Sequence, residues 1–340
     1  MKQKVVVDKN IPFISEVLND YFDVVALPSC EINREVVKDA VALLIRTRTL
    51  CNEALLEGSS VEFIGTATIG YDHIDLKWCE SRGIAVKTAV GCNAGGVVNY
   101  VLRCLMHFGC EPSETTVGVV GVGNVGSLLN ERLKYWGFNT LLCDPIRQVK
   151  EGASEFVGYD EVLANSDVVT FHTPLTLEGE YKTFELLDKE SLEKCKQGVS
   201  VLNSSRGEVV CEKDLLDAIK ENKVSHCALD VWCDEPNINK ELLALVDIAT
   251  PHIAGYSVQG KANGSAIVVN ELFRHFNCEK NENWYPENIL KREYLKTSWE
   301  EFKLRLISEY EIISESELLK TGEVDFEKFR NDYNFRNEIL

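Results

Sequence analysis

Three polar residues follow short apolar runs in the second half of the chain. Arg206 lies in Asn203-Ser204-Ser205-Arg206-Gly207, Glu235 in Asp230-Val231-Trp232-Cys233-Asp234-Glu235-Pro236, and His252 in Thr250-Pro251-His252-Ile253-Ala254-Gly255-Tyr256. Each run suits a buried strand, and the strand ends of an open α/β sheet converge on one crevice. A histidine, titrating near neutrality, can take the hydroxyl proton of a secondary alcohol as hydride leaves the carbon. A glutamate can orient the imidazole and stabilise the imidazolium that forms. An arginine fork matches a carboxylate beside the reacting carbon. Singly, these residues read equally well as a surface ion pair, an acidic turn before proline and a strand cap. Their joint placement points instead to a 2-hydroxy acid.

Hydride needs an acceptor, and the stretch 117–145 supplies a place for one. An apolar run, Val117-Gly118-Val119-Val120, leads into Gly121-Val122-Gly123-Asn124-Val125-Gly126 and then into Leu128, Leu129, Leu133 and Trp136 at helical spacing. A second run ends on Asp144. Gly121 allows a tight turn, Gly123 lets backbone approach a pyrophosphate, and Gly126 lets the helix pack close to the sheet. The helix N-terminus receives phosphate through free N–H groups. Asp144, about twenty residues on, can accept hydrogen bonds from a ribose 2′-hydroxyl and would repel a 2′-phosphate, so NAD is expected rather than NADP. Against this, Arg147 lies nearby, and an arginine there can accommodate the phosphate.

The elements that position these groups follow from the rhythm of the chain. Apolar runs at 5–7, 24–27, 41–45, 63–67 and 84–86 alternate with helical stretches. After the predicted helix 94–107 and the connection Glu111-Pro112-Ser113, runs recur at 117–120, before Asp144, and at 168–172, 199–203, 226–231 and 248–250. That alternation predicts parallel sheets covered by helices on both faces. Two first-half loops at strand ends, Arg46-Thr47-Arg48 and Thr66-Ala67-Thr68-Ile69-Gly70, are candidate substrate contacts, with Arg46 and Arg48 offered to an anionic group. In Asp72-His73-Ile74-Asp75 the acids read as helix caps and His73 as a satisfied polar residue. The segment 261–276 reads as a helix returning to the first domain. Beyond it, Ser298 and Glu301 form a capping box, with Trp299, Phe302, Leu306, Tyr310 and Ile313 on one helical face and Phe326, Phe329 and Tyr333 on another. Two such helices cannot make a core alone and should dock on their own domain or, the preferred reading, on a second subunit.

A chain of 340 residues with 45% hydrophobic content has room for two domains. Its net charge of −18 argues against nucleic-acid or anionic-membrane partners. Met1 to Asp8 has no signal-peptide core and no run approaches a membrane span, so a cytoplasmic protein is expected. The 12 cysteines are scattered without C-x-x-C pairs and the 6 histidines do not cluster, so thiols acting as small hydrophobes are expected rather than a metal site.

These segments, together with His172-Thr173-Pro174-Leu175, resemble the D-isomer-specific 2-hydroxyacid dehydrogenases over residues 1–276. The resemblance implies two doubly wound parallel-sheet domains, a flavodoxin-like substrate domain and a Rossmann NAD domain, plus a small helical dimerisation segment. On that reading 1–93 and 257–278 bind substrate, 94–256 bind NAD, and 279–340 dimerise, with the active site in the cleft between the domains. It implies Arg206, Glu235 and His252 as catalytic. Gly121, Gly123, Asn124, Val125, Gly126, Asp144, Thr173, Asp230 and Gly255 would bind cofactor, and Thr47, Thr68 and Tyr256 substrate. The implied reaction is oxidation of 4-phospho-D-erythronate at C2 by NAD in a cytoplasmic homodimer. Another phosphorylated hydroxy acid, such as 3-phosphoglycerate, and a non-catalytic NAD-binding regulator are the alternatives. The chain departs from the family at Ser204-Ser205, where alanine-cysteine is usual, and at Thr47, where serine is usual. Its tail resembles the dimerisation segment only around 326–336.

Overall fold

The computed structural model describes residues 2–152, 154–278, 283–292 and 294–340. The expected start of the C-terminal region, residue 279, lies outside them. The chain divides into two compact units, Met1–Asn93 with Ser257–Lys291, and Ala94–Tyr256 with Arg292–Leu340. The tail from Arg292 therefore belongs to the second unit and forms no unit of its own.

The first unit holds a parallel sheet of β1 (Lys4–Asp8), β2 (Asp23–Leu27), β3 (Ala40–Ile45), β4 (Phe63–Thr66) and β5 (Ala85–Thr88), in the order β2-β1-β3-β4-β5. Alternate residues of its strands enter two cores. Val5, Val7, Leu44 and Phe63 meet Val268, Val269, Leu272 and Phe273 of the returning helix Val258–His275. Val6, Leu43, Ile45 and Ile64 pack with Val37, Leu56 and Cys79 on the other face. A sheet covered twice leaves no polar side to its strands, which is why they read as continuous apolar runs.

The second unit holds β6 (Thr116–Val120), β7 (Asn139–Cys143), β8 (Val168–Phe171), β9 (Val199–Asn203), β10 (Val224–Leu229) and β11 (Ile248–Ala249). Their order is β11-β10-β9-β8-β6-β7, all parallel, so the direction of winding reverses between β6 and β8. Ligands bind at such a switch point, beyond the carboxyl ends of the strands.

The tail differs from expectation in two ways. The apolar face read as one helix through Ile313 breaks at extended Tyr310 into Trp299–Glu309 and Ile312–Thr321, followed by Phe326–Asn331. That face is also covered within its own unit. Trp299, Phe302, Leu306, Tyr310 and Ile312 join the core of helices Ala94–His107 and Asn124–Trp136. The Phe302 ring lies 4.3 Å from that of Trp136. Periodicity marked the apolar side correctly, but a pattern of side chains does not say which surface will cover it. Cys104, Cys143 and Cys227 are buried thiols, as expected.

Replacing Phe302, which is fully buried, with alanine should cost ~3–5 kcal/mol. Ser308→Ala on the same helix, where the residue is exposed, should change stability by less than ~0.5 kcal/mol. Urea unfolding at several protein concentrations checks both. A concentration-dependent loss in Phe302→Ala would mean that this face serves an intersubunit contact instead.

Candidate active site

Arg206, Glu235 and His252 lie in the loops after β9, β10 and β11, which are neighbours in the sheet. The loop after β9 is tied down by Asn203, whose Nδ2 donates to the Arg206 carbonyl at 2.8 Å and whose Oδ1 accepts from the Ser205 hydroxyl at 2.8 Å. Gly207 sits against the next loop so closely that a Cβ would meet the Trp232 carbonyl carbon at 2.1 Å. Only glycine permits that approach, and it brings the Arg206 loop onto the segment leading to Glu235.

His252 has a left-handed backbone, φ 58°, which costs a non-glycine residue about 1–2 kcal/mol. Asp230 holds it there. The carbonyl of Asp230 accepts the His252 N–H at 2.7 Å. Its carboxylate accepts from the Thr250 hydroxyl at 2.6 Å, the Ile253 N–H at 2.8 Å and the Ala254 N–H at 3.0 Å. Burial pushes the Asp230 carboxyl above its ordinary pKa, against the opposing pull of His252 and these donors. Asp230, expected at the cofactor, is thus first the brace of the histidine turn.

The imidazole Nδ1 of His252 lies 2.9 Å from Glu235 Oε2 and 3.1 Å from Oε1. Oε1 also accepts the Trp232 N–H at 3.1 Å. Burial raises the Glu235 carboxyl, but the hydrogen bond and charge of His252, the Trp232 N–H and Arg330 together hold it below the ordinary glutamate range. Glu235 is therefore a carboxylate at neutral pH. It fixes Nδ1 as the bonded nitrogen and turns Nε2 away from the carboxylate.

The tail reaches this cluster, which sequence reasoning missed. Arg330 donates Nε to the Tyr256 hydroxyl at 3.3 Å and stands 3.7 Å from Glu235 Oε2. Arg336 donates to the carbonyls of Gly96, Ile253, Ala254 and Tyr256, and stacks 4.1 Å from the Tyr310 ring. A charged residue in a polar tail carries no local signal for contacts made about 80 positions away in the chain.

At the glycine turn, a Cβ on Gly126 would meet the Gly121 carbonyl oxygen at 2.2 Å, whereas one on Gly123 would meet nothing within 4 Å. The first contact seats the helix beginning at Asn124, with Val125 following it, against the turn. The second leaves the open cradle a pyrophosphate requires. Thr173, after β8, has a buried hydroxyl with no hydrogen-bond partner. Cradle and orphan hydroxyl both fit a dinucleotide.

Asp144 accepts the Val122 N–H at 2.9 Å through Oδ2 and the Arg147 N–H at 3.0 Å through Oδ1. Arg147 is committed elsewhere. Its Nε and Nη2 each bond Glu151 at 2.8 Å, and its Nη1 donates to the Val122 carbonyl and, at 3.0 Å, to Ser127. The fork that could have received a 2′-phosphate is closed by an acid one helical turn away.

The substrate candidates divide between the units. Thr47 is exposed, and Thr68 bonds the Thr66 hydroxyl at 2.7 Å. Arg46 pairs through Nε with fully buried Asp8 at 3.0 Å, which leaves its Nη groups for an anion. Asp75 caps the following helix, and His73 Nε2 lies 3.3 Å from Thr66 Oγ1, as read from the sequence. In the second unit the half-buried Gly255 and Tyr256 close the histidine loop, whose Tyr256 N–H bonds the Ile253 carbonyl at 2.8 Å.

Two parallel-sheet units and a strand–glycine turn–helix are the layout of an NAD-dependent dehydrogenase. The family model described as "D-isomer specific 2-hydroxyacid dehydrogenase, NAD binding domain" matches residues 103–254. A protein of Bacteroides fragilis (strain YCH46) named erythronate-4-phosphate dehydrogenase is 39% identical over 340 residues, covering 98% of this chain and 97% of its own length. One of the same name from Proteus mirabilis is 43% identical over 269 residues, 78% of this chain and 72% of its own. The NAD+-bound structure of a 3-phosphoglycerate dehydrogenase from Entamoeba histolytica shares the fold at a TM-score of 0.67 and 23% identity, over 85% of this chain and all of its own. The chain belongs to the D-isomer-specific 2-hydroxyacid dehydrogenases and, within them, to the erythronate-4-phosphate dehydrogenase family. Its cofactor is NAD.

Opening the Arg147 fork should change cofactor choice. Glu151→Ala should raise kcat/KM with NADP about tenfold, the gain of one charge-assisted phosphate contact, while leaving that with NAD within about twofold. Asp144→Ala should raise KM for NAD about tenfold by loss of the ribose contact. Steady-state kinetics with both dinucleotides decides.

Proposed function

We propose that this chain oxidises 4-phospho-D-erythronate at C2, with NAD as acceptor, to (R)-3-hydroxy-2-oxo-4-phosphobutanoate, a step towards pyridoxal 5′-phosphate. The name shared by its relatives supports the substrate, and the carboxylate-held imidazole of His252 carries the chemistry. Bound NAD supplies the hydride acceptor. His252 takes the C2 hydroxyl proton at Nε2 as the carbonyl forms, and returns it in the reverse direction. Glu235 keeps the ring oriented and offsets the imidazolium charge. Arg206 pairs its fork with the substrate carboxylate, so that C2 faces the imidazole. Gly121, Gly123, Asn124, Val125 and Gly126 cradle the pyrophosphate, Asp144 takes the ribose, and Thr173, Asp230 and Gly255 line the remainder of the cofactor. Thr47, Thr68 and Tyr256 receive the substrate, with Arg46 and Arg48 at its phosphate.

The protein acts in the cytoplasm as a homodimer. The family likeness of 326–336 supports the dimer, as does Leu304, an apolar residue of the tail that stays 70% exposed. Among the described residues no helix is long and apolar enough to cross a membrane.

Absorbance of reduced nicotinamide, followed with 4-phospho-D-erythronate and with 3-phospho-D-glycerate in the presence of a 2-oxo acid acceptor, tests the reaction. Turnover is expected with the first. His252→Ala should lower kcat by about 10²–10⁴, the contribution of a positioned general base, with NAD still bound. Turnover only with 3-phospho-D-glycerate would overturn the substrate, and full activity in His252→Ala would overturn the assignment of the base.

A further inference from the structure

Arg330 is carried by the helix Phe326–Asn331, which begins at a capping Asp325 and is anchored by buried Phe326. Its partners are the Tyr256 hydroxyl and the Glu235 carboxylate. The Glu235 oxygen nearest to it is the one 2.9 Å from His252 Nδ1. Tyr256, Arg330, Glu235 and His252 thus form one line of contacts joining the tail to the proton-transferring ring. The side chains of Arg330 and Glu235 are only 22% and 18% exposed, so their interaction is screened far less than a surface pair.

We infer that Arg330 is a positioning residue for the Glu235–His252 pair, acting through the carboxylate and touching neither substrate nor cofactor. The inference rests on the hydride-transfer reading for its catalytic meaning. Apart from Arg330, the carboxylate is held by the imidazole and the Trp232 N–H. A cation 3.7 Å from the oxygen nearest Nδ1, itself bonded to the tyrosine hydroxyl, adds a further hold that keeps the carboxylate on Nδ1. The same charge favours the ionised carboxylate and opposes over-stabilisation of the imidazolium, which must surrender its proton in each turnover. The other charged groups beside the line are Asp230 after β10, Glu327 on the helix of Arg330, and Arg336, whose guanidinium is spent on the carbonyls of Gly96, Ile253, Ala254 and Tyr256. Neither acid supplies the positive charge that Arg330 does, so removing Arg330 should make the pair hold its protons more tightly.

The test uses the full chain with Arg330→Gln, which keeps most of the side-chain volume, and Arg330→Lys, which keeps the charge. Carbon-13 NMR of labelled glutamate carboxyls, with the Glu235 signal assigned by Glu235→Gln, should show Glu235 titrating at higher pH in Arg330→Gln. Arg330→Lys should return it most of the way. In kinetics, Arg330→Gln should lower kcat about tenfold, equivalent to ~1.4 kcal/mol, move the acid limb of kcat to higher pH and leave KM for NAD unchanged. An unmoved Glu235 titration in Arg330→Gln overturns the inference whatever the activity. So does a kcat loss that Arg330→Lys fails to rescue and that comes with no change in the pH profile. Absence of wild-type turnover would instead overturn the hydride-transfer reading, while the NMR result would still decide whether Arg330 governs the carboxylate.

Discussion

The site depends on one buried carboxylate. Asp230 is 1% exposed, an expensive place for a charge unless its oxygens are fully engaged. They are engaged by donors that all belong to the turn around His252. Taking the aspartate away would leave the Ile253 and Ala254 N–H groups unpaired in an apolar surround and release a backbone held in the left-handed region. The hydrogen bonds that offset the cost of burying the acid are thus the same ones that hold the strained histidine turn. The result is that the imidazole is placed by backbone geometry before any ligand arrives, which is what proton transfer at a fixed atom requires.

The cofactor turn rests on a similar economy of space. Gly126 packs its helix against the Gly121 carbonyl, while Gly123 leaves its surround open. The acids at the far end then divide two tasks. Asp144 uses its two oxygens to tie the turn at Val122 to the start of the next helix, and Glu151 occupies the Arg147 fork. On the proposed reading, selectivity against a 2′-phosphate would have two sources: a repelling carboxylate and a cation already paired with Glu151.

The sheets were legible because strands buried on both faces must be apolar throughout, and Val5 to Val7 or Val199 to Asn203 can hardly read otherwise. The glycine turn and Asp144 were legible because the chemistry of a pyrophosphate and a ribose dictates residue types at fixed spacing. Arg206, Glu235 and His252 were legible from their places after successive runs, and the structure sets them on three adjacent loops. The bracing role of Asp230 was not legible, since nothing local distinguishes an acid that bonds a ligand from one that bonds a turn 20 to 24 positions on, after the neighbouring strand. The break at Tyr310 was hidden for a related reason: Tyr310 continues the helical spacing of the apolar face, and only tertiary contacts such as the Arg103 guanidinium on its carbonyl take it out of the helix.

The tail illustrates how a segment can be helical, amphipathic and peripheral in sequence yet part of the catalytic unit. Arg336 places its fork on four backbone carbonyls, one at the start of the helix Ala94–His107 and three in the loop after His252. Glu338 bonds the Gly96 N–H at 3.1 Å, and Asn99 pairs with the backbone of Ile339. Were the tail to leave, those carbonyls would lose their donors and the loop would be held from one side only, by Asp230. A segment so bonded cannot serve as an independent module tethered for dimerisation. If two copies associate through it, they must do so with outer residues such as Leu304, while its inner residues keep the histidine loop in place. Assembly and catalysis would then share one short stretch of chain, with the inner side answering to the site and the outer side free to answer to a partner.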